Sequence, residues 1–220
     1  ATWIEKPPPG WQVRADLEMQ DICDPSDRLN VFHDNCFFLY IQMKLCKGSL
    51  EDWLRDNQEH PRDPQRIDMI FKQIVEAIAY IHDTGVFHRD LKPSNILFDD
   101  NDRIRVCDLG IASEFEILEG QEITATRTAN IGTPLYSSPE QRYWRYSSKV
   151  DVFALGLILV ELCVRMTAEL RKRAFDNYRN GEPNYFILID DDRTRELITQ
   201  LTKVESEERP TCREILDMLR

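Results

Sequence analysis

The stretch that decides the fold runs from Val86 to Phe98 and reads V-F-H-R-D-L-K-P-S-N-I-L-F. It places a carboxylate at Asp90, a cation at Lys92 and an amide at Asn95. A carboxylate can accept the proton of an attacking hydroxyl, a cation can neutralise a transferring phosphoryl group, and an amide can hold magnesium. Apolar residues on both sides predict a rigid loop between two short strands. The alternative is a surface turn that is charged by chance.

A second motif begins thirteen residues after Asn95. Residues 104–107, I-R-V-C, read as a short strand, and Asp108-Leu109-Gly110 follows directly. A carboxylate there can chelate magnesium, and a glycine permits a sharp turn of the backbone. Because D-L-G alone is a common turn tripeptide, its spacing from the first motif is what makes it informative.

Both motifs resemble those of protein kinases, namely the catalytic loop H-R-D-L-x-x-x-N and the D-F-G magnesium motif with Leu109 in place of phenylalanine. By this resemblance Asp90 is the catalytic carboxylate and Lys92 neutralises charge on the γ-phosphate of ATP. Asn95 and Asp108 would hold Mg²⁺. The resemblance therefore implies ATP and Mg²⁺ as cofactors.

The amino-acid composition limits which classes of protein and binding partner remain possible. The chain has 220 residues, 42% of them hydrophobic, which is enough for one sizeable domain with its own core. A formal net charge of −11 argues against nucleic-acid binding through a general basic surface. The six cysteines include no C-x-x-C pair, so a reducing compartment is expected and zinc is not. The apolar run 152–160 is too short to span a bilayer and predicts a buried helix, so no membrane contact is expected for this segment.

The first 46 residues carry few regular patterns. Residues 13–35 are polar and lack steady periodicity, which predicts a surface loop or partly disordered insert. A short amphipathic helix over residues 13–22 is the less favoured alternative. Residues 36–46 are rich in aromatic and aliphatic side chains and predict a buried strand.

Helices are predicted by caps and by apolar spacing. Ser49, followed by acidic residues, predicts the N-cap of a helix that begins at Leu50. A long helix ending at Gly85 is predicted by apolar residues at helical spacing, which are Ile67, Ile70, Phe71, Ile74, Ile78 and Ile81. Thr211 and Glu214 predict a capping box near the end of the chain. Residues 166–179 predict a mixed-charge helix that is too polar to be core, either a docking surface for a substrate or a plain solvated helix.

Further motifs follow in the order found in kinases: G-T-P-L-Y-S-S-P-E at 132–140, K-V-D-V-F-A-L-G at 149–156 and E-E-R-P-T at 207–211. The chain therefore resembles eukaryotic Ser/Thr protein kinases over residues 36–220. The resemblance implies a mainly α (α+β) fold, with the kinase large (C-terminal) lobe at 47–220. Residues 1–46 would be a remnant of the small lobe, with a β-strand pair, the acidic insert and the hinge strand.

The resemblance also implies structural and regulatory roles. Asp151 would anchor the backbone of the catalytic loop, and Glu140 would pair with Arg209. Thr133 would bond to the catalytic Asp90 and Lys92. Phosphorylation is expected at Thr128, or second at Thr126, with Arg89 receiving the new charge. The alternative is a flexible loop in which these threonines are incidental.

The same resemblance assigns the nucleotide contacts. Met43 would be the gatekeeper beside the adenine, and Lys44, Leu45 and Cys46 would offer backbone groups to its edge. Leu97 would be a further cofactor-binding residue.

Longer stretches narrow the family. L-Y-I-Q-M-K-L-C-K-G-S-L-E-D-W-L at 39–54 and L-Y-S-S-P-E-Q at 135–141 resemble the kinases that phosphorylate the α subunit of translation initiation factor two. W-I-E-K-P-P-P-G-W-Q at 3–12, followed by an acidic insert, is closest to the endoplasmic-reticulum stress type. The resemblance implies that this subunit is the protein substrate, that its phosphoserine slows translation under stress, and that the 166–179 helix helps to hold it. The domain would be cytoplasmic, in a full-length protein that dimerises through its small lobe and sits in the endoplasmic-reticulum membrane.

One part of the kinase pattern is missing. The eight glycines form no G-x-G-x-x-G, and neither of the two lysines up to residue 44 lies in a V-A-I-K-like stretch. The chain is therefore expected to be N-terminally truncated and inactive alone. The alternative function is a pseudokinase-like binding module that lacks the ATP clamp. Intact Asp90, Asn95 and Asp108 favour descent from an active enzyme.

Overall fold

A computed structural model describes residues 45–109, 113–114, 135–143, 147–182 and 189–220. All of these except Leu45 belong to one compact unit. Its helices are α1 (Leu50–Asp56), α2 (Pro64–Asp83), α3 (Lys149–Cys163), α4 (Ala168–Arg179), α5 (Asp192–Leu201) and α6 (Cys212–Met218). Its strands are β1 (Gly48–Ser49), β2 (Val86–Phe87), β3 (Ile96–Phe98), β4 (Ile104–Val106) and β5 (Ser113–Glu114). Short 3-10 turns lie at Pro93–Asn95, Pro139–Tyr143 and Ser206–Glu208. This mostly helical architecture agrees with the predicted fold class.

The caps predicted from the sequence are present. The Ser49 Oγ accepts from the Asp52 backbone N–H at 3.1 Å, and Asp52 Oδ2 accepts from the Ser49 N–H at 3.0 Å. This reciprocal pair satisfies two donors at the start of α1. Thr211 and Glu214 form the same kind of box at the start of α6, as predicted.

Helix α2 carries the chain to the catalytic loop. All six of its predicted apolar positions are buried, and together they form the face that packs into the core. Thr84 caps the helix, and Gly85 adopts φ 78°, a left-handed conformation that costs glycine little. The turn delivers the chain directly into β2 and the H-R-D sequence.

The H-R-D loop lies between strands of two small antiparallel sheets. In the three-stranded sheet, β3 lies between β1 and β4, with Ile96 opposite Val106. This register places the residue before β3 beside the residue after β4, and the Cys107 N–H donates to the Asn95 carbonyl at 2.9 Å. The two motifs of the sequence thus meet at one end of one hairpin. Strand β2 pairs with β5, with Val86 opposite Glu114 and Phe87 opposite Ser113.

Helix α3 forms the centre of the core, as its apolar run predicts. Every residue from 150 to 162 is buried. Where α3 crosses α5, an added Cβ at Gly156 would lie 2.6 Å from Thr202 Cγ2 and 2.9 Å from Leu201 Cβ. The absence of a side chain at Gly156 is what allows the two helices to approach so closely.

Two expectations need correction. The strand predicted over residues 36–46 does not include Leu45 and Cys46, which lie in no strand, and the Leu45 side chain is 87% exposed. The helix predicted over residues 166–179 begins at Ala168, because the Thr167 side chain caps it. That helix is also not wholly solvated, since Ala174, Phe175 and Tyr178 make one buried face within a polar sequence.

In the part of the chain that the structure describes, no helix is both long enough and apolar enough to cross a membrane. The predicted division between residues 46 and 47 stays a prediction, because residues 1–44 lie outside the described part.

Candidate active site

Asp151 connects the central helix to the catalytic loop. Its Oδ1 accepts from the Arg89 N–H at 2.8 Å, and its Oδ2 accepts from the His88 N–H at 2.9 Å. The His82 Nε2, on α2, lies 2.8 Å from the same Oδ2. Asp151 is only 1% exposed, so these donors compensate for the loss of water around a buried carboxylate. This is the contact that the sequence predicted for Asp151.

The three charged and polar groups of the loop come together as predicted. Lys92 Nζ donates to Asp90 Oδ2 at 2.6 Å. Asn95 Nδ2 donates to the Asp90 carbonyl at 2.9 Å and lies 3.4 Å from Asp90 Oδ2. Asp90 is 9% exposed, and Leu91 beneath it belongs to the core. Lys92 and Asn95 therefore both contact the same oxygen of the carboxylate.

The magnesium motif is fixed to this loop by its preceding residue. The Cys107 carbonyl lies 2.9 Å from His88 Nε2, and the Cys107 N–H donates to Asn95. Asp108 follows at once and is exposed, while Leu109 packs against the core. The backbone thus places Asp108 beside the loop that holds Asp90 and Asn95.

Two of the three described non-glycine residues with positive φ lie in these two segments, and the third is Asp102 in the turn between β3 and β4. Arg89 has φ 67° and Asp108 has φ 64°, and both are positive values that non-glycine residues seldom adopt. Such conformations persist where the surroundings fix them, and they concentrate at functional sites. At Arg89 the Asp151 carboxylate accepts the N–H and Gln141 Nε2 donates to the carbonyl at 3.1 Å, so both peptide groups are held.

A small cavity lies beside the catalytic carboxylate. Among the residues that line it are Arg89, Asp90, Tyr136, Ser137 and Gln141. The Gln141 Oε1 accepts from the Ser138 N–H at 2.7 Å while its Nε2 donates to the catalytic loop. Gln141 therefore joins the two walls of the cavity.

The Glu140–Arg209 pair predicted by the resemblance is present and bidentate. Arg209 Nη1 and Nη2 lie 2.6 and 2.9 Å from the two Glu140 carboxylate oxygens. The Arg209 side chain is fully buried and also donates to the carbonyls of Lys149, Lys203 and Val204. This pair fixes the end of segment 135–143 to the core, next to the cavity.

The donor set suits magnesium. Because Asn95 Nδ2 is used in bonds to Asp90, its Oδ1 is the atom that can ligate a cation, and Asp108 supplies a carboxylate. Oxygen ligands of this kind, completed by water and phosphate oxygens, are those that Mg²⁺ takes in phosphoryl-transfer sites.

The structure describes only some of the residues that were predicted to bind nucleotide or to regulate the kinase. Leu97 lies in β3 and is half-buried, directly after the Asn95–Ile96 pair. Met43, Lys44, Thr126, Thr128 and Thr133 lie outside the described residues, so their roles stay predictions. The adenine contacts assigned to Leu45 and Cys46 also stay predictions, although the structure describes both residues.

Several residues of the site were not predicted from the sequence. They are His82, Tyr136, Gln141, Glu161 and Arg171. Of these, Glu161 had a detectable pattern, because a carboxylate in an apolar helix must find donors. The structure supplies them: the Tyr136 hydroxyl donates to Glu161 Oε2 and Arg171 Nη1 donates to Oε1, each at 2.5 Å. The other contacts depend on segments far apart in sequence.

Comparison with known proteins identifies the family. The model of the protein kinase domain matches residues 27–219. The chain is 39% identical over 184 residues to the interferon-induced, double-stranded RNA-activated protein kinase of Mus musculus, with 82% of this chain and 34% of that protein covered. It is 34% identical over 215 residues to the eukaryotic translation initiation factor 2-alpha kinase pek-1 of Caenorhabditis elegans, with 91% of this chain and 19% of that protein covered.

A third relative is the eukaryotic translation initiation factor 2-alpha kinase 3 of Rattus norvegicus, 41% identical over 154 residues. That alignment covers 65% of this chain and 14% of the relative. The chain thus spans about a third or less of the length of these relatives. The matched kinase domain includes Asp90, Asn95 and Asp108. The chain belongs to the protein kinase family, among the Ser/Thr kinases related to the eIF2-alpha kinases.

Proposed function

We propose that this chain is the large lobe of a Ser/Thr kinase that transfers the γ-phosphate of ATP to a serine of the α subunit of translation initiation factor two, attenuating translation under stress. The observation that carries the proposal is the contact of Asp90 Oδ2 with both Lys92 Nζ and Asn95 Nδ2, next to a small cavity that Tyr136 and Ser137 also line. Positioning and electrostatics are the main contributions that a protein makes to phosphoryl transfer.

Each side chain has one task in this proposal. Asp90 orients the serine hydroxyl and accepts its proton, while Lys92 stays close enough to neutralise charge on the transferring group. Asn95 and Asp108 would hold Mg²⁺, which would supply positive charge to neutralise the phosphate oxygens. Asp151 keeps the loop rigid so that these groups need no rearrangement when the substrate arrives.

Two kinds of support favour the initiation-factor subunit as the substrate. Two of the three relatives are named for it, and the sequence stretches at 39–54 and 135–141 resemble that group. Helix α4 offers an exposed face with Glu169, Lys172 and Arg173, which is the proposed docking surface. The mixed charges of this α4 face can pair with complementary charges on a protein partner.

The remaining proposals concern the whole protein. We propose that the full protein is of the endoplasmic-reticulum stress type, that it dimerises through a small lobe, and that this domain works in the cytosol. An ATP clamp of a Gly-rich loop and a strand lysine is needed for turnover, and the 220-residue sequence contains neither motif. The isolated chain is therefore expected to bind ATP–Mg²⁺ weakly and to transfer no phosphate.

The test of activity compares the isolated chain with a longer form that carries a Gly-rich loop. We expect radiolabelled phosphate on the initiation-factor subunit only with the longer form, and we expect Asp90→Asn to abolish it. Asp217→Asn, an exposed change at an ion pair with Arg220, is the matched control and should leave the rate unchanged. Turnover by the isolated chain that Asp90→Asn abolishes would refute the predicted inactivity. Nucleotide binding without transfer in the longer form would favour the pseudokinase-like binding module instead.

The test of the substrate uses the longer form with two acceptors. We expect phosphorylation of the folded initiation-factor subunit and little of generic peptides. Arg173→Gln on the proposed docking surface should raise KM for the folded subunit several-fold. Phosphorylation of generic peptides with no action on the subunit would reject this substrate.

A further inference from the structure

Two side chains of α4 contact the short segment Leu135–Ser137, and a third reaches it through Glu161. They are Arg171, Phe175 and Arg179, spaced at i, i+4 and i+8 along one ridge of the helix. The opposite side of α4 is the proposed docking surface. Helix α4 therefore has one face exposed to solvent and one ridge against a wall of the catalytic cavity.

Together the contacts reach all three residues of the segment. Arg179 Nη1 donates to the Leu135 carbonyl at 2.7 Å and lies 3.5 Å from the Ser137 carbonyl. Phe175 packs edge-on against the Tyr136 ring, with ring centroids 5.4 Å apart. Arg171 reaches the same tyrosine through Glu161, whose two carboxylate oxygens accept from Arg171 and from the Tyr136 hydroxyl.

These contacts are buried, which makes them specific. The side chain of Arg179 is 9% exposed, that of Glu161 5%, and Phe175 is fully buried. A buried carboxylate needs its partners in place, so Tyr136 and Arg171 cannot move independently. Burial, together with the charge of Glu161, also raises the pKa of the Tyr136 phenol, so this group remains a hydrogen-bond donor at neutral pH.

We propose that Arg171, Phe175 and Arg179 are positioning residues that hold Leu135–Ser137 against the catalytic loop, so that docking on α4 is coupled to the phosphoacceptor site. The inference rests on the proposed function, because it takes α4 as the surface on which the substrate docks. Segment 135–137 and Asp90 line the same small cavity, so a displaced segment would also disturb the surroundings of Asp90. Helix α4 is then part of the machinery that orients the substrate as well as a surface that binds it.

The first test measures amide hydrogen exchange on the 220-residue chain, without any substrate. Arg179→Gln should speed exchange of residues 135–141 by ~10-fold, because it removes a buried charged donor. Arg179→Lys keeps one donor and should restore part of the protection. Arg173→Gln, on the exposed face of the same helix, is the matched control and should leave this segment unchanged. Arg171→Lys, which keeps an ion pair with Glu161, provides a second variant if Arg179→Gln folds poorly.

Two outcomes of the exchange experiment would overturn the inference. One is unchanged exchange of residues 135–141 in Arg179→Gln. The other is faster exchange spread evenly through α2 and α3, which would mean that Arg179 merely supports the fold. Neither outcome depends on which substrate the kinase uses.

The second test separates positioning from docking by kinetics of the longer, active form. Arg179→Gln should lower kcat by ~10-fold both for the folded subunit and for a peptide cut from it around the target serine. Arg173→Gln should instead act on KM for the folded subunit. A rise in KM for the folded subunit, with kcat intact, would reduce Arg179 to a docking residue and reject the inference. Absence of any phosphorylation by the unmutated longer form would instead reject the proposed function, leaving the exchange result to judge the inference.

Discussion

Asp151 shows how one buried side chain organises the catalytic loop. Its two oxygens accept from three donors that come from two separate segments, α2 and the H-R-D sequence. The strained φ of Arg89 is maintained because Asp151 and Gln141 hold the peptide groups on either side of it. Geometry at the catalytic Asp90, the next residue, thus depends on a carboxylate from the core helix.

Replacement of Asp151 by asparagine should destabilise this arrangement. The amide keeps the shape but turns an N–H₂ group toward a backbone donor, so at least one charge-assisted hydrogen bond is lost, at about 1.5–3 kcal/mol. Urea unfolding measures the loss, and amide exchange at His88 and Arg89 locates it. The exposed Asp217→Asn should change stability by less than about 0.5 kcal/mol. Equal effects of the two substitutions would contradict the anchoring role.

At the scale of elements, close packing of α3 on α5 fixes the helix that carries Asp151. Gly156 permits the approach, since its missing Cβ leaves room for Thr202 and Leu201. The β3–β4 hairpin performs the corresponding task for Asn95 and Asp108, because its register brings Cys107 to Asn95. The packing of α3 on α5 therefore positions Asp151, and the β3–β4 hairpin brings Asn95 beside the residue that precedes Asp108.

Gly156→Ala tests the helix crossing. In an isolated helix the change would stabilise by about 1 kcal/mol, but here the new methyl overlaps Thr202 Cγ2, and overpacking costs about 1–3 kcal/mol. We expect a net loss of stability in thermal or urea unfolding, partly relieved by Thr202→Ser, which removes that methyl. Gly48→Ala, whose Cβ would meet nothing closer than 3.6 Å, is the control. A more stable Gly156→Ala protein would show that the crossing is looser than described.

Asp99 gives the hairpin a pH dependence. The Arg103 N–H, followed by the Arg105 guanidinium, lowers the pKa of Asp99 from 3.8 to about 2, although burial opposes the shift. Because the folded-state pKa is depressed, this stability is present above pH 3.8 and is lost as the pH falls toward about 2. The urea midpoint should therefore fall less steeply between pH 5 and pH 3 in Asp99→Asn than in the unmutated chain. Arg105→Gln should give an intermediate slope, and identical slopes for all three proteins would disprove the assignment.

Sequence patterns predicted the elements that depend on near neighbours. The face of α2, the Ser49 and Thr211 caps and the buried run of α3 are all set within a few turns of the chain. The prediction for residues 166–179 underestimated the burial of α4, because three side chains are enough to bury one face of this polar helix. The roles of Gln141 and His82 were not predictable, because each arises where segments over fifty residues apart meet.

On the scale of the whole molecule, one compact unit brings the H-R-D loop, segment 135–143 and α3 to the lining of one cavity, and the hairpin joins the loop at Asn95. Motif order and spacing identified the catalytic loop and the D-L-G sequence, because the chemistry of phosphoryl transfer restricts which residues can stand there. The contacts of α4 with segment 135–137 were not foreseen, since they are made by side chains that meet only in the folded chain.

The central claim is that Asp90, Asn95 and Asp108 surround one metal–nucleotide site. The most direct measurement is a titration of the 220-residue chain with Mn²⁺–ATP, followed through paramagnetic broadening of assigned amide signals. We predict that signals from residues 88–95 and 107–109 broaden together, and that Asn95→Ala and Asp108→Asn each abolish the effect. Broadening of only one of these segments, or equal broadening in both variants, would contradict the claim.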